Sequence, residues 1–189
     1  LEAVGHAVAA QPGADLELRG DGVDGAVGQR TISAEEAQRQ TQLALVEVEK
    51  QKAEADSQLN PIAYQYTSIV GKDSKTIDAK FSKGKMTATV TTKPEKGPAK
   101  TVTIRKDIPK GTFLSTFLVY LMMKSKQGMQ TNSKYQYSAI AEEDADIVKG
   151  EALVGEKQEK YNGFQVFKVF NRFKDARFIS YVTDTGDVL

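Results

Sequence analysis

The sequence predicts an α+β protein that is mainly β: a curved antiparallel sheet wrapped over one central buried helix, with an N-terminal helical extension. Two series of segments, 60–107 and 134–189, alternate apolar or β-branched residues with polar ones, as half-buried strands do. The segment 113–123 between them is apolar on all sides. A helix of this kind, placed between two strand meanders, fits the space under a curved sheet.

The N-terminal part differs in composition from the rest. Residues 1–31 contain no lysine and no aromatic residue and are rich in glycine and alanine, so we predict a flexible or loosely packed segment. Residues 32–59 are predicted to form a helix or connector, because Ser33 and Glu36 make a capping box and helix-forming residues continue to about Ser57. The central sequence LALVEVE is compatible with a short strand as well as with a helix.

Residues 60–189 are predicted to form one antiparallel β domain with a helix inserted at about 112–127. The predicted strands are 62–70, 76–81, 85–92, 100–107, 134–141, 146–155, 163–171 and 177–183. Glycine, proline or short polar sequences separate them. In the last hairpin we assign Phe164, Val166 and Phe170 to one face and interpret the aromatic residues as core.

The inserted helix suggests a binding role. Two methionines, together with phenylalanine and leucine, would leave an adaptable apolar cavity for an acyl chain if they faced a concave sheet. The candidate ligand-binding residues are therefore Phe113, Phe117, Leu121 and Met122. Plain core packing is the alternative, because a sheet must cover its inner face.

Reactive residues are scarce. The chain has no cysteine and one histidine, His6, which rules out cysteine nucleophiles and leaves no histidine for a Ser-His-Asp set in the β domain. No glycine-rich phosphate-binding motif occurs. We predict no catalytic residue, no metal site and no cofactor, and expect any catalytic domain to lie outside this chain.

The segment 142–151 contains a cluster of five acidic residues. It consists of Glu142, Glu143, Asp144, Asp146 and Glu151. Its spacing lacks the pattern of an EF-hand calcium loop, and hydrolysis would require one buried carboxyl group opposite another across a cleft. We interpret it as an exposed loop between strands.

Charge is distributed unevenly along the chain. Residues 61–140 hold 14 basic and 4 acidic side chains, although the whole chain has a net charge of only +1. An interaction with an anionic polymer, a surface polysaccharide or nucleic acid, is therefore an alternative function. Arg105 is the one arginine among these bases, and the strand aromatics of this region suit a core, which argues against nucleic acid. No apolar run is long enough to span a membrane.

Residues 109–189 resemble an uncharacterised β-rich domain of bacterial envelope proteins, found alone or beside transglutaminase-like domains. The matching features are Ile108-Pro109-Lys110-Gly111-Thr112, Gly128, Lys134-Tyr135-Gln136-Tyr137, Gly150-Glu151-Ala152, Tyr161-Asn162-Gly163, Val166, Lys168, Phe173, Arg177-Phe178, Tyr181-Val182 and Gly186-Asp187-Val188-Leu189. They are structural positions, and they bring no catalytic residue with them.

The resemblance implies a periplasmic or secreted location and a sheet-over-helix fold similar to lipoprotein-carrier domains. It also implies an accessory role or the binding of a lipid or other apolar envelope ligand, with no enzymatic activity in this chain. A transglutaminase-like domain following Leu189 would be the expected partner, so we expect the chain to be part of a longer protein.

Overall fold

The computed structural model describes residues 2–5, 47–124 and 128–189, with side chains from residue 49 onward. Most of the segment predicted to be flexible, 1–31, lies outside the described residues. The same is true of the first part of the predicted helix, 32–46.

The first sheet has six strands in chain order, each antiparallel to its neighbours. They are β1 (Glu2–Gly5), β2 (Glu47–Ala55), β3 (Pro61–Val70), β4 (Asp73–Ser82), β5 (Lys85–Lys93) and β6 (Lys100–Asp107). Tight turns join β3 to β4 and β4 to β5. The four strands predicted in 60–107 are confirmed.

The helix predicted through Ser57 is wrong over β2. This segment pairs along its whole length with β3, and Ala53, which lies opposite Tyr64, is fully buried. Glutamate, lysine and alanine favour a helix in isolation, but the hydrogen bonds of a neighbouring strand and burial of the small alternate residues outweigh that preference.

The second sheet has five strands in the order β11-β10-β9-β8-β7. They are β7 (Phe113–Leu114), β8 (Lys134–Ala141), β9 (Asp146–Tyr161), β10 (Phe164–Phe173) and β11 (Ala176–Thr183). Every pairing is antiparallel except that of β7 with β8. Beyond Leu153, β9 extends past the end of its pairing with β8.

The inserted helix is shorter than predicted. A 3₁₀ turn at Ser115–Phe117 leads into α1 (Leu118–Met123), while Phe113 and Leu114 are extended because they pair with β8 as β7. Tyr120 is 45% exposed, so the helix is not buried on every side. In the described part of the chain, no helix is long and apolar enough to cross a membrane.

The buried side chains form two clusters, one on each side of the helical segment. Phe117 packs with Tyr64, Ile77 and Met86 of the first sheet. Met122 packs in the other cluster, with Met129, Ala152, Val154, Val169 and Val182. The prediction of a mainly β fold with a helix between two antiparallel series of strands is confirmed. The strands are divided between two sheets, and the helical segment packs against both.

Candidate binding surface on the second sheet

Three apolar side chains lie side by side on the face of the second sheet that points away from α1, which we call the outer face. Strand register places Phe170 of β10 opposite both Leu153 of β9 and Ile179 of β11. Directly opposed residues on neighbouring strands share a face and touch across it. Leu153, Phe170 and Ile179 are 44%, 42% and 49% exposed. They form a continuous apolar row open to solvent.

Basic side chains surround this row. Lys134 of β8 lies opposite Leu153, and Arg172 and Arg177 lie opposite each other one step along the same face. Lys168, on the other side of the row, has its ammonium nitrogen 5.5 Å from the ring centre of Phe170. Strand alternation puts all of these on the outer face. We call the seven residues the outer-face patch: Lys134, Leu153, Lys168, Phe170, Arg172, Arg177 and Ile179.

A cleft of about 430 Å³ runs over the patch. Its lining combines the apolar side chains of Leu153, Phe170 and Ile179 with the charged groups of Lys134, Glu151, Arg172 and Arg177. Small-molecule sites have volumes of roughly 300–1,000 Å³ and are mostly apolar with a few polar groups that orient the ligand. The cleft meets both conditions, although it is open along one side.

The interpretation of the last hairpin as core is wrong for these aromatic residues. Phe164, Phe170 and Phe178 are each at least 42% exposed. Phe164 and Phe170 lie on the outer face of β10, whereas α1 covers the inner face, where Val169 is buried. Phe178 lies on the inner face of the edge strand β11, opposite Asn171. The sequence contained a signal for this exposure. Large apolar residues occupy both the even- and the odd-numbered positions of β10, so one of the two sets faces water or a partner.

The four residues predicted to line an acyl-chain cavity are divided between the two core clusters. Phe113 and Phe117 are buried against the first sheet, Leu121 packs partly against the same cluster, and Met122 packs against the second sheet. Met122 also lines a cleft of about 140 Å³ between α1 and β10–β11, a volume below the range of small-molecule sites. Ligand binding by these four residues stays a prediction, and the larger cleft of the outer face is the better candidate.

The acidic cluster is not simply an exposed loop, because Glu142 is 2% exposed. Ser115 donates its hydroxyl hydrogen to one carboxyl oxygen of Glu142 (2.5 Å), and the Thr116 N–H donates to the other (3.2 Å). Burial raises the pKa of Glu142, against the lowering effect of these two hydrogen bonds. Both oxygens are used to hold the start of the 3₁₀ turn, which gives this carboxyl group a structural role.

The neighbouring carboxylates pair with lysines from both sheets. Lys174, in the β10–β11 turn, binds both Glu143 and Asp144 and lowers the pKa of Asp144. Lys106 of β6 donates to Asp146 at 2.5 Å and lowers its pKa. These exposed or partly exposed pairs orient the β8–β9 turn and contribute little stability individually.

The lysine-rich region 61–140 does not form a uniformly basic surface. Lys72 pairs with Glu95 and Lys85 with Asp107, both at 2.8 Å. A groove of about 430 Å³ on the outside of the first sheet is lined by both signs of charge, with Lys52 and Lys80 beside Glu54 and Asp78. The aromatic residues of these strands point inward: Tyr64 and Tyr66 are buried. A basic aromatic platform is therefore not present on this sheet among the described residues.

Within residues 2–5, 47–124 and 128–189, no group of three or more histidine or carboxylate side chains is placed to hold a metal ion. Neither a family model, a curated protein nor a solved structure matches the chain. The resemblance to an envelope domain thus depends on the residue pattern alone, and the outer-face patch depends on the geometry of the second sheet.

Proposed function

We propose that the chain is a non-catalytic binding domain for an apolar ligand that carries negative charge, and that the outer-face patch is its binding site. The observation that carries the proposal is the exposed row of Leu153, Phe170 and Ile179 on three adjacent strands. Soluble domains seldom expose large apolar side chains together unless the surface has a partner.

The energy available at this surface is sufficient for useful affinity. Complete burial of one large apolar side chain is worth about 1.5–3 kcal/mol, so covering the exposed halves of three contributes roughly 2–4 kcal/mol. Arg172 and Arg177 supply forked donors that suit a carboxylate or phosphate on the ligand. The apolar row supplies affinity, and the arginines supply preference for an anion.

An anionic polymer bound along residues 61–140 is the alternative function. The ion pairs of Lys75 with Asp144 and of Lys106 with Asp146 count against it, because these carboxylates come from outside the segment and offset part of its positive charge. The outer face of the second sheet has the stronger combination of positive charge and apolar surface.

The cellular setting that we propose is the bacterial envelope, with an accessory role beside a transglutaminase-like domain. Support comes from the residue pattern of 109–189. Cell fractionation tests the location. An open reading frame that encodes a Cys-His-Asp domain after Leu189 would support the accessory role, and its absence would count against it.

Fluorescence titration with anilinonaphthalene sulfonate, an apolar dye with one negative charge, tests the binding site. We expect Phe170→Ser to weaken dye binding by about tenfold, which corresponds to the loss of one partly buried side chain. Val102→Ser is the matched control, because Val102 is exposed on β6 outside the patch. Equal dye affinity in the two variants, with both folded by circular dichroism, would refute the proposed site.

A further inference from the structure

The apolar row continues toward the free end of the β9–β10 hairpin. By strand alternation Phe164 lies on the same face of β10 as Phe170, and its partner on β9 is Tyr161. Phe164 is 55% exposed. The Tyr161 ring stacks on Tyr181 of β11, with ring centres 4.0 Å apart. Aromatic side chains therefore extend the apolar surface from the middle of the sheet to the tip of this hairpin.

The same face has an excess of positive charge. Its basic residues are Lys134, Lys149, Lys168, Arg172 and Arg177, and its acidic residues on these strands are Glu151 and Glu159. Arg172 pairs with Glu151 at 3.5 Å. Within the described part of the chain, Lys134, Lys149 and Arg177 have no ion-pair partner. Three positive charges are thus available to an external anionic surface.

The shape of the surface favours a broad partner over a small one. The cleft over Phe170 is open along one side, so a single acyl chain lying in it would keep part of its length in water. A sheet face that combines exposed Phe and Tyr with lysine and arginine has the composition of proteins that lie on bilayers, where aromatic rings enter the interface and cations meet acidic headgroups.

We infer that the outer face of the second sheet docks on bilayers that contain acidic lipids, with the aromatic hairpin tip and the row of Leu153, Phe170 and Ile179 entering the headgroup region. This inference rests on the proposed function, because it assigns an occupant to the same patch. The bilayer satisfies both features at once: the boundary between its headgroups and acyl chains covers the row, and its phosphates neutralise Lys134, Lys149 and Arg177.

A single-stranded nucleic acid fits the surface less well. Its bases require free aromatic faces for stacking. Tyr161 and Tyr181 already stack on each other, and the Lys168 ammonium lies near the rings of Phe170 and Tyr181. Two of the three members of the row, Leu153 and Ile179, are aliphatic and provide no stacking surface.

Co-sedimentation with vesicles tests the inference. We expect the chain to bind vesicles of phosphatidylcholine mixed with phosphatidylglycerol and to bind pure phosphatidylcholine much more weakly. Arg177→Gln and Lys134→Gln should each weaken binding about fivefold, the effect of one basic residue at an acidic membrane surface. Phe164→Ser should also weaken it. Lys80→Gln and Arg105→Gln, on the outside of the first sheet, are matched controls that should leave binding unchanged.

Several results would overturn the inference. Equal binding to both vesicle types, equal loss in the control variants, or binding of an oligothymidylate in place of vesicles would each contradict it. Dye binding that depends on Phe170 without any vesicle binding would also overturn the bilayer inference, while the proposed apolar site would stand. Loss of both dye and vesicle binding from the intact chain would remove both proposals.

Discussion

Two neighbouring tyrosines of β3 have opposite consequences for stability. Both are buried, but Tyr66 donates its hydroxyl hydrogen to Glu49 at 2.6 Å. The hydroxyl of Tyr64 has no hydrogen-bond partner among the residues that the structure describes. A buried hydroxyl without a partner loses its hydration and gains nothing in return, so Tyr64 pays a cost that Tyr66 avoids.

Replacing these tyrosines by phenylalanine should therefore shift stability in opposite directions. We expect Tyr64→Phe to raise the free energy of unfolding by about 1 kcal/mol and Tyr66→Phe to lower it by about 1–2 kcal/mol. Urea denaturation of the two variants beside the wild type measures both changes. Destabilisation by Tyr64→Phe would show that its hydroxyl makes a bond that the described residues do not reveal.

Glu142 gives the protein a characteristic pH dependence. Burial raises its pKa, and the negative charge of Glu143 acts in the same direction. The folded state therefore holds the proton more tightly than the unfolded state. The resulting stabilisation is complete below the ordinary glutamate pKa of about 4.3 and is lost as the pH rises through the higher folded-state pKa.

The variant Glu142→Gln isolates this effect, because glutamine resembles the protonated carboxyl group and can bond to both Ser115 and Thr116. We expect the wild type to lose stability relative to the variant as the pH rises from about 4 toward neutrality. Asp144 and Asp146 have lowered pKa values and act oppositely, but they and the nearby Lys75 and Lys174 are present in both proteins. Urea denaturation across this range measures the difference, and Glu156→Gln is the exposed control. A pH-independent difference for Glu142→Gln would contradict the account.

At the level of elements, the pairing of β8 with β9 depends on one glycine. A Cβ atom at Gly150 would lie 2.4 Å from ring atoms of Tyr137, the residue opposite it. That ring lies between Phe113 and Phe173, with ring centres 5.7 and 6.0 Å away, and has little room to move. Gly150 thus allows the tyrosine ring to lie flat across β9.

We expect Gly150→Ala to lower the free energy of unfolding by about 1–3 kcal/mol, as overpacking does in other cores. Removing the ring should relieve the clash, so the same substitution in a Tyr137→Leu background should cost much less. Thermal or urea denaturation of the four proteins forms a double-mutant cycle. Strictly additive effects would mean that the ring of Tyr137 is not what excludes a side chain at position 150.

Strands were predicted correctly where the local sequence pattern and pairing with neighbouring strands favour the same conformation. Regular alternation identified β3, β5, β6 and β8 closely. β2 was missed because its composition favours a helix. Its conformation is decided by pairing with β3, which the local sequence does not show. The helix was predicted too long because Phe113 and Leu114 satisfy a helical pattern equally well, while β8 supplies their actual partners.

At the level of the whole molecule, the candidate site could not be predicted from segment charge. Residues 141–189 have more acidic than basic side chains, yet four of the five basic residues of the outer face come from this segment. The turns and loops hold much of the negative charge, and strand alternation sorts the positive charge onto one face. The aromatic residues of the last hairpin were also assigned to the core, because the sequence does not show how many faces of a sheet other elements cover.

The measurement that tests the central claim most directly is the mapping of amide chemical-shift changes during a titration with anilinonaphthalene sulfonate. If the outer-face patch is the binding site, the largest changes should fall on β9, β10 and β11 around Leu153, Phe170 and Ile179, with little change in the first sheet. Changes concentrated on Ser115–Met123 would place the ligand beneath the helix, and changes along β3–β6 would place it on the lysine-rich sheet. Either of these results would contradict the account.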